Sequence, residues 1–433
     1  MKKVIFLHSI RQTLAFAVCF MSGLLSAFGQ AYVKQMPALE GDKAIVREYN
    51  ENKYLIYSQQ GHTNSFTMYV EGNQILQTMN FSDDYPGDKI TVHDFEIFND
   101  TVYFCGDATS YKYSQAIMGY FDLATFPAST LYISYASMSS FKKLDVFSEI
   151  QTPYITHVVF VGENDTVLSY AVDAIRQTTT NWNSYCLGVT DDILDDVAAT
   201  DNHIVFTSRF RGPQYLKDHS SLYIYHRPSW GNTFFMSPDG IIEMGGLLGN
   251  HPVLIEHGQA DGYAIVGDYV LRQSLWVAGF NGLTCLAVVE LPYEEEYAIP
   301  LDAKYHPSNM TLDVLSQNDG RGIVYQLNPS NLVGGTVYVR EPVSENLRSL
   351  DRLALQADSL AAVGRGAEDP KLHLYKYHAM HRYECAYWWD MDALIKEVDP
   401  DEKSPIEMYE PMNLKGFEHE TWVTETEVEE YCN

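Results

Sequence analysis

AIVREY (44–49), KYLIYS (53–58), SFTMYV (65–70) and QILQTM (74–79) are the runs that decide the fold. Each is short and rich in Val, Ile, Tyr, Phe or Met, and polar turns separate them: Asn50-Glu51-Asn52 after the first, a longer loop after the second, Glu71-Gly72-Asn73 after the third. Branched and aromatic side chains suit a pleated, half-buried surface, and turns of this kind join antiparallel neighbours. The stretch predicts a four-stranded antiparallel meander. Most of the remaining chain reads the same way. Helical periodicity of useful length is scarce, and MDALIKEV (391–398) is the best short helix candidate.

The meander recurs. Asp42, Asp94, Asp145 and Asp196 each open an apolar run, about every 50 residues. A turn and a more apolar strand follow each opening: KYLIYS, TVYFCGD (101–107), THVVFVG (156–162) and HIVFTSR (203–209). Further on the phase loosens. Asp313 opens VLSQNDGRGIVYQL, Asp351 opens RLALQADSLAAVGR, and a long unit around HPVLIEHGQADGYAIVGDY (251–269) lies before them. About seven units result, opening near 42, 94, 145, 196, 254, 313 and 351. A four-stranded sheet repeated radially, each blade covered by its neighbours, is a β-propeller. The expected fold is all-β, with about seven four-stranded antiparallel blades; six or eight are the alternative counts, and a pair of β-sandwiches is the competing fold. Over residues 42–380 the units resemble the degenerate blades of secreted bacterial β-propellers. No W-D or kelch pair recurs, so the resemblance implies an architecture and carries no catalytic residues with it.

The N-terminus reads as an export signal. Lys2 and Lys3 precede an apolar run over 13–28, and Ala27-Phe28-Gly29 places small residues as a cleavage site requires. The run is short for a bilayer span, and Val18 before Cys19 does not fit a lipoprotein signal. The expected organisation is a signal peptide over 1–29, a propeller over 30–398, and an acidic tail or closing strand over 399–433. No later stretch is apolar and long enough to span a membrane, so the expected location is the periplasm, the cell surface or beyond.

With 57 acidic against 29 basic residues and a net charge of −28, the chain repels phosphate backbones and anionic lipid. Nucleic-acid and membrane-surface roles are disfavoured. The cysteines after the signal (Cys105, Cys186, Cys285, Cys385, Cys432) are widely spaced with no C-x-x-C. Cys105 and Cys285 fall in strand-like runs and read as small buried hydrophobes.

Four features could carry function. The opening carboxylates Asp42, Asp94, Asp145, Asp196, Asp313 and Asp351 would line a channel if the first strand of each blade does; such a ring could take Ca²⁺, a basic ligand or a sugar. Alternatively each Asp accepts backbone N–H groups where the chain enters a strand. Apart from that possible Ca²⁺, no cofactor is expected. His373, His378 and His381, running towards Cys385, are metal candidates, although strand alternation sets His373 and His378 on opposite faces. Among 31 tyrosines and several tryptophans, Trp182 and Trp230 lie in loop-like contexts suited to stacking on a sugar. Asp-Thr-Val at Thr101 and Thr166, and Asp-Ser-Leu at Ser359, resemble the O-glycosylation sequon of Bacteroidetes-type exported proteins. No G-x-S-x-G, H-E-x-x-H, Walker or dinucleotide motif is present. The expected function is therefore non-catalytic: a binding or scaffold propeller outside the cytoplasm, with a glycan or envelope protein as partner. The alternative is a carbohydrate-active propeller enzyme, a hydrolase or lyase using carboxylates at the channel mouth.

Overall fold

The computed structural model describes strands and many of their turns between Val33 and Tyr431. Residues 1–32 and 432–433 lie outside the description, as do many connections, the longest being 211–218, 228–238, 246–252 and 399–405. The opening meander forms as read, with strands Lys43–Asn50, Lys53–Gln60, Thr63–Val70 and Ile75–Phe81. Among the described residues the strands make seven antiparallel sheets. We number these blades from this meander, blade 1.

The innermost strands of blades 1 to 7 are Lys43–Asn50, Lys89–Phe98, Ser140–Ser148, Asp192–Ala199, Val253–Glu256, Ala298–His306 and Ser349–Gln356. Each packs against the next, and that of blade 7 packs against that of blade 1, so the ring closes. The protein is a β-propeller. One opening differs from expectation. Asp313 lies on the second strand of blade 6, Thr311–Asn318, and the blade opens earlier, at AIPLDAKYH around Asp302. Pro300 and a charged pair two residues apart disguised that strand in the sequence.

The core lies between the blades. Alternation along one strand sends successive side chains to opposite neighbours. In blade 1, Tyr54 and Ile56 pack with Val363 and Leu374 of blade 7, whereas Leu55 and Tyr57 pack with Phe95 and Phe104 of blade 2. In blade 4, Ile204 and Phe206 face Val159 of blade 3, and Val205 faces Tyr263 and Trp276 of blade 5. Both faces of each central strand are therefore apolar, which is why KYLIYS and HIVFTSR read as near-continuous hydrophobic runs. Phe66 is the centre of the packing between blades 1 and 2, with Phe81, Phe95, Phe104 and Phe121 at centroid distances between 4.9 and 6.0 Å.

The two ends of the chain complete and extend the blades. Blade 7 receives its fourth strand from the N-terminus: Val33–Glu40 pairs with Lys371–Lys376. The chain then turns back after blade 7 and travels round the outside of the ring in reverse order. Met380–Cys385 joins blade 6, Trp389–Asp390 blade 5 and Leu394–Val398 blade 4. Ile406–Lys415 joins blade 3, Phe417–His419 blade 2 and Trp422–Glu427 blade 1. Glu429–Tyr431 ends the circuit on the N-terminal strand of blade 7. Every described sheet thus has five strands. The stretch 399–433, read as an acidic tail or closing strand, carries from Ile406 on the second half of this belt, and only Glu429–Tyr431 reaches the strand that completes blade 7. The described part of the helix candidate at 391–398, Leu394–Val398, is likewise a strand, because the open edge at Ile241–Gly245 offers it a ladder of backbone partners. Tertiary pairing outweighs a weak local helix preference there.

Buried histidines in this fold serve the blades. His157 (blade 3) sits between Asp173 (Nδ1 to Oδ1, 2.8 Å) and Glu149 (Nε2 to Oε1, 3.1 Å), with all three side chains fully buried. His306 takes Asp313 at 2.7 Å in blade 6. That partnership is the role of Asp313, which was expected in the channel. Cys105 is buried and Cys285 half-buried, as small hydrophobes, and burial pushes the Cys285 thiol up to about 11. Among the described residues no helix is long and apolar enough to cross a membrane.

Candidate functional site

The inner strands of blades 1 to 6 line a half-open cavity of about 160 Å³. Its charged lining is Arg47, Asp94, Glu96, Lys143, Asp145, Asp196, Glu256, Asp302 and Lys304. Repeated β-bulges put these side chains there. The pairing of first and second strands slips by one residue between Val92 and Asp94, Phe141 and Lys143, Leu194 and Asp196, and Pro300 and Asp302. A bulge re-aims the residues that follow it. Asp94, Lys143, Asp196 and Asp302 therefore occupy equivalent positions in four blades. Two residues further along, on the same face of the strand, come Glu96, Asp145, Ala198 and Lys304. The lining has two tiers, and Asp145, which the sequence set level with Asp94 and Asp196, belongs to the second.

The carboxylates knit the ring. Each turns Oδ1 to the next backbone amide: Asp94 to Phe95 (3.1 Å), Asp145 to Val146 (2.7 Å), Asp196 to Val197 (2.9 Å) and Asp302 to Ala303 (3.0 Å). Oδ2 of Asp145 accepts the amide of Ala199 in blade 4 (2.6 Å), and Oδ2 of Asp196 accepts that of Leu254 in blade 5 (2.9 Å). The two readings of the opening Asp are thus both realised in these residues: they line the cavity, and they accept backbone N–H groups across blade boundaries.

Arg47 holds the other side. Its Nη2 donates to Asp94 Oδ1 and its Nε to Glu96 Oε1, both at 2.8 Å, and its Nη1 reaches Asp302 Oδ2 of blade 6 at 3.5 Å. Burial works against this charge, but Glu96, Asp94 and Asp302 together hold the guanidinium pKa above its ordinary value. Lys143 stands 3.9 Å from Asp94 Oδ2, and Lys304 3.6 Å from Glu96 Oε1. With three cations in the wall and both oxygens of Asp145 and Asp196 held by backbone amides, the cavity is a poor fit for Ca²⁺, which needs six to eight oxygen ligands.

Acidic groups still outnumber basic ones here, and the carboxyl groups respond. Burial pushes Asp145 up to about 8, helped by Glu96 and opposed by the amides of Ala199 and Val146. Burial raises Asp196 to about 6, against the pull of Lys143. An Asp whose folded pKa exceeds its unfolded value keeps its proton in the fold while the unfolded chain ionises. Below about pH 4 both states are protonated; as pH rises from about 4 to about 8 the unfolded state gains, and above 8 the loss is complete. The protein is therefore expected to melt several degrees lower at pH 8.5 than at pH 5.5. Asp145→Asn should flatten that slope, and a slope equal to that of the unmodified chain would show that Asp145 is ionised throughout.

Several expected site residues lie elsewhere. Asp42, Trp230, His378 and Thr166 fall outside the described residues. Asp351 lies on the inner strand of blade 7, at the bulge between Leu350 and Arg352, and Trp182 on the fourth strand of blade 3; only the backbone is described at both. His373 is on the third strand of blade 7, whereas His381 is on the belt strand of blade 6, so the two belong to different sheets. Thr101 is half-buried after a left-handed turn at Asn99 and Asp100, whose Oδ1 accepts the Tyr49 hydroxyl at 2.8 Å. Ser359 starts the second strand of blade 7. Sequence reasoning missed Arg47, Lys143, Lys304, Glu96, Glu256 and Asp302. The available signal was the alternation of charges two residues apart in HDFEIF, KKLDVF and PLDAKYH, which strand period alone aims at one face.

No protein-family model and no curated protein sequence matches the chain.

Proposed function

We propose that this chain is a non-catalytic binding or scaffold propeller acting outside the cytoplasm, with a glycan or a protein of the cell envelope as its partner. The engagement of the four cavity aspartates carries this reading. Glycoside cleavage needs two carboxyl groups facing substrate, roughly 5–9.5 Å apart. Asp145 and Asp196 each commit both oxygens to backbone amides, and Asp94 and Asp302 face Arg47. A cavity of about 160 Å³ also falls well short of the roughly 300–1,000 Å³ of ordinary ligand pockets. Recognition then belongs to the loops and rim of the blades. The export reading rests on the basic and apolar character of residues 2–28.

One observation favours the enzyme alternative. The Asp145 carboxyl, raised to about 8, has the proton affinity that a general acid near neutral pH requires. A single experiment separates the two. The purified chain is screened against a polysaccharide panel by thermal shift, with product analysis of each mixture, and in parallel is used to capture partners from an envelope extract. The binding reading expects a raised melting temperature with one glycan class, or one saturable protein partner, and no released sugar. Released product that disappears with Asp145→Asn would replace it by the enzyme. Silence in all three assays would remove both.

A further inference from the structure

We propose a surface transition-metal site in blade 4, formed by His203, His226 and Asp239, that takes Zn²⁺ or a dication of similar borderline softness. His203 opens the second strand of the blade and His226 ends the third, and the two are direct cross-strand partners. Their rings stack at 5.3 Å between centroids, 15° from parallel. Asp239 stands immediately before the fourth strand, fixed by its backbone N–H on the carbonyl of Ile224 at 2.7 Å. Its Oδ2 lies 3.2 Å from His226 Nδ1 and 3.9 Å from His203 Nε2. One donor atom from each of the three residues falls within 4.8 Å of the others. Around a tetrahedral zinc with bonds of about 2.0–2.1 Å, donors stand roughly 3.3 Å apart, so the His226–Asp239 separation already fits and the His203–Asp239 one must shorten by roughly half an ångström.

A second observation concerns the ring of His203. Its Nδ1 bonds Asp261 Oδ1, from the turn of blade 5, at 3.0 Å. Asp261 is itself held by the amide and side chain of Asn202 (3.2 and 3.0 Å) and by the Thr200 hydroxyl (3.3 Å). When Nδ1–H donates to this carboxylate, the lone pair is on Nε2, which faces Asp239. A carboxylate behind a ligating imidazole is the usual means of fixing its tautomer and orientation. Two imidazole nitrogens and one carboxylate oxygen form a donor set for zinc, and for the neighbouring late transition ions, rather than for Ca²⁺ or Mg²⁺. Three protein ligands leave further positions for water or for a group on a partner. His226 is 74% exposed, so an ion enters from solvent without rearrangement of the core.

The test is calorimetric titration of the metal-stripped full chain with Zn²⁺ alone. One equivalent is expected to bind. His226→Ala, an exposed position whose loss leaves the melting temperature of the metal-free chain unchanged, should weaken binding at least tenfold. Asp261→Asn, which removes no proposed ligand, should weaken it by about 10- to 100-fold. Absence of zinc binding, or one equivalent bound equally well by His226→Ala and Asp239→Asn, would overturn the site and leave a plain histidine–aspartate surface cluster.

Discussion

A chain ended at Tyr377 should melt at least about 10 °C below the full-length protein and associate on gel filtration. The belt contributes little apolar burial where its side chains are described: Phe417, Trp422 and Val423 are all exposed. What it supplies is backbone pairing along the outer edge of every described sheet. Its removal leaves a row of unpaired N–H and C=O groups on the fourth strand of each blade, the open edges on which chains add to one another. It also undoes a tie between distant parts of the ring, since the last belt strand ends on the N-terminal strand that completes blade 7. Repeat proteins are held mainly by neighbour contacts; a belt crossing all blades makes them unfold together. A milder truncation after Val398 sharpens the test. It keeps the belt strands on blades 6, 5 and 4 and removes those on blades 3, 2, 1 and 7. Hydrogen exchange should then rise along Asn181–Val189 and Ile75–Phe81 and stay low along Gly240–Gly245. Uniform exchange, or a melting temperature within a degree or two of the full chain, would show that the belt is an ornament.

Arg47→Met is expected to cost about 3–5 kcal/mol in denaturant unfolding, the range seen when one partner of a buried ion pair is removed. Asp94, Glu96 and Asp302 all turn to this guanidinium, and the first and last of them are as buried as Arg47 itself. Without it, three carboxylates face a low-dielectric cavity that already has an acidic excess. Arg47→Lys should recover only part of the loss, because an ammonium cannot fork to three carboxylates in fixed geometry. Adding Asp94→Asn and Asp302→Asn to Arg47→Met should restore stability relative to Arg47→Met alone, since the penalty lies in stranded charge. A loss below about 1 kcal/mol for Arg47→Met would mean that solvent reaches the cavity freely and screens these charges.

The propeller was legible because its blades are local objects. KYLIYS and SFTMYV carry strand propensity, hairpin turns and two apolar faces in one short stretch, and blades of similar size put an Asp near the opening of blades 2, 3 and 4, although Asp145 lies two residues beyond the position equivalent to Asp94 and Asp196. Blade 6 escaped because its inner strand, with Pro300, Asp302 and Lys304, has too few apolar residues to announce itself. Within the cavity, Asp94, Asp145 and Asp196 were visible as a repeat. Arg47 was not, since it repeats in no other blade, and Lys304 was marked only by its spacing of two from Asp302. His203, His226 and Asp239 stand 23 and 13 residues apart on one blade, a spacing that matches no metal-ligand motif.

Local chemistry in the sequence by itself determined the strand class, the meander, the order of the blades and their need to stack, because burying both faces of a strand requires neighbours on both sides. Only the tertiary structure decided the fifth strand of each blade, the two tiers of the cavity and the gathering of two histidines beside Asp239. The belt pairs through backbone groups that every residue possesses, so no side-chain pattern marks its partner. The tiers depend on bulges, each a one-residue slip set by pairing across strands. The histidine cluster depends on the register that places His203 opposite His226.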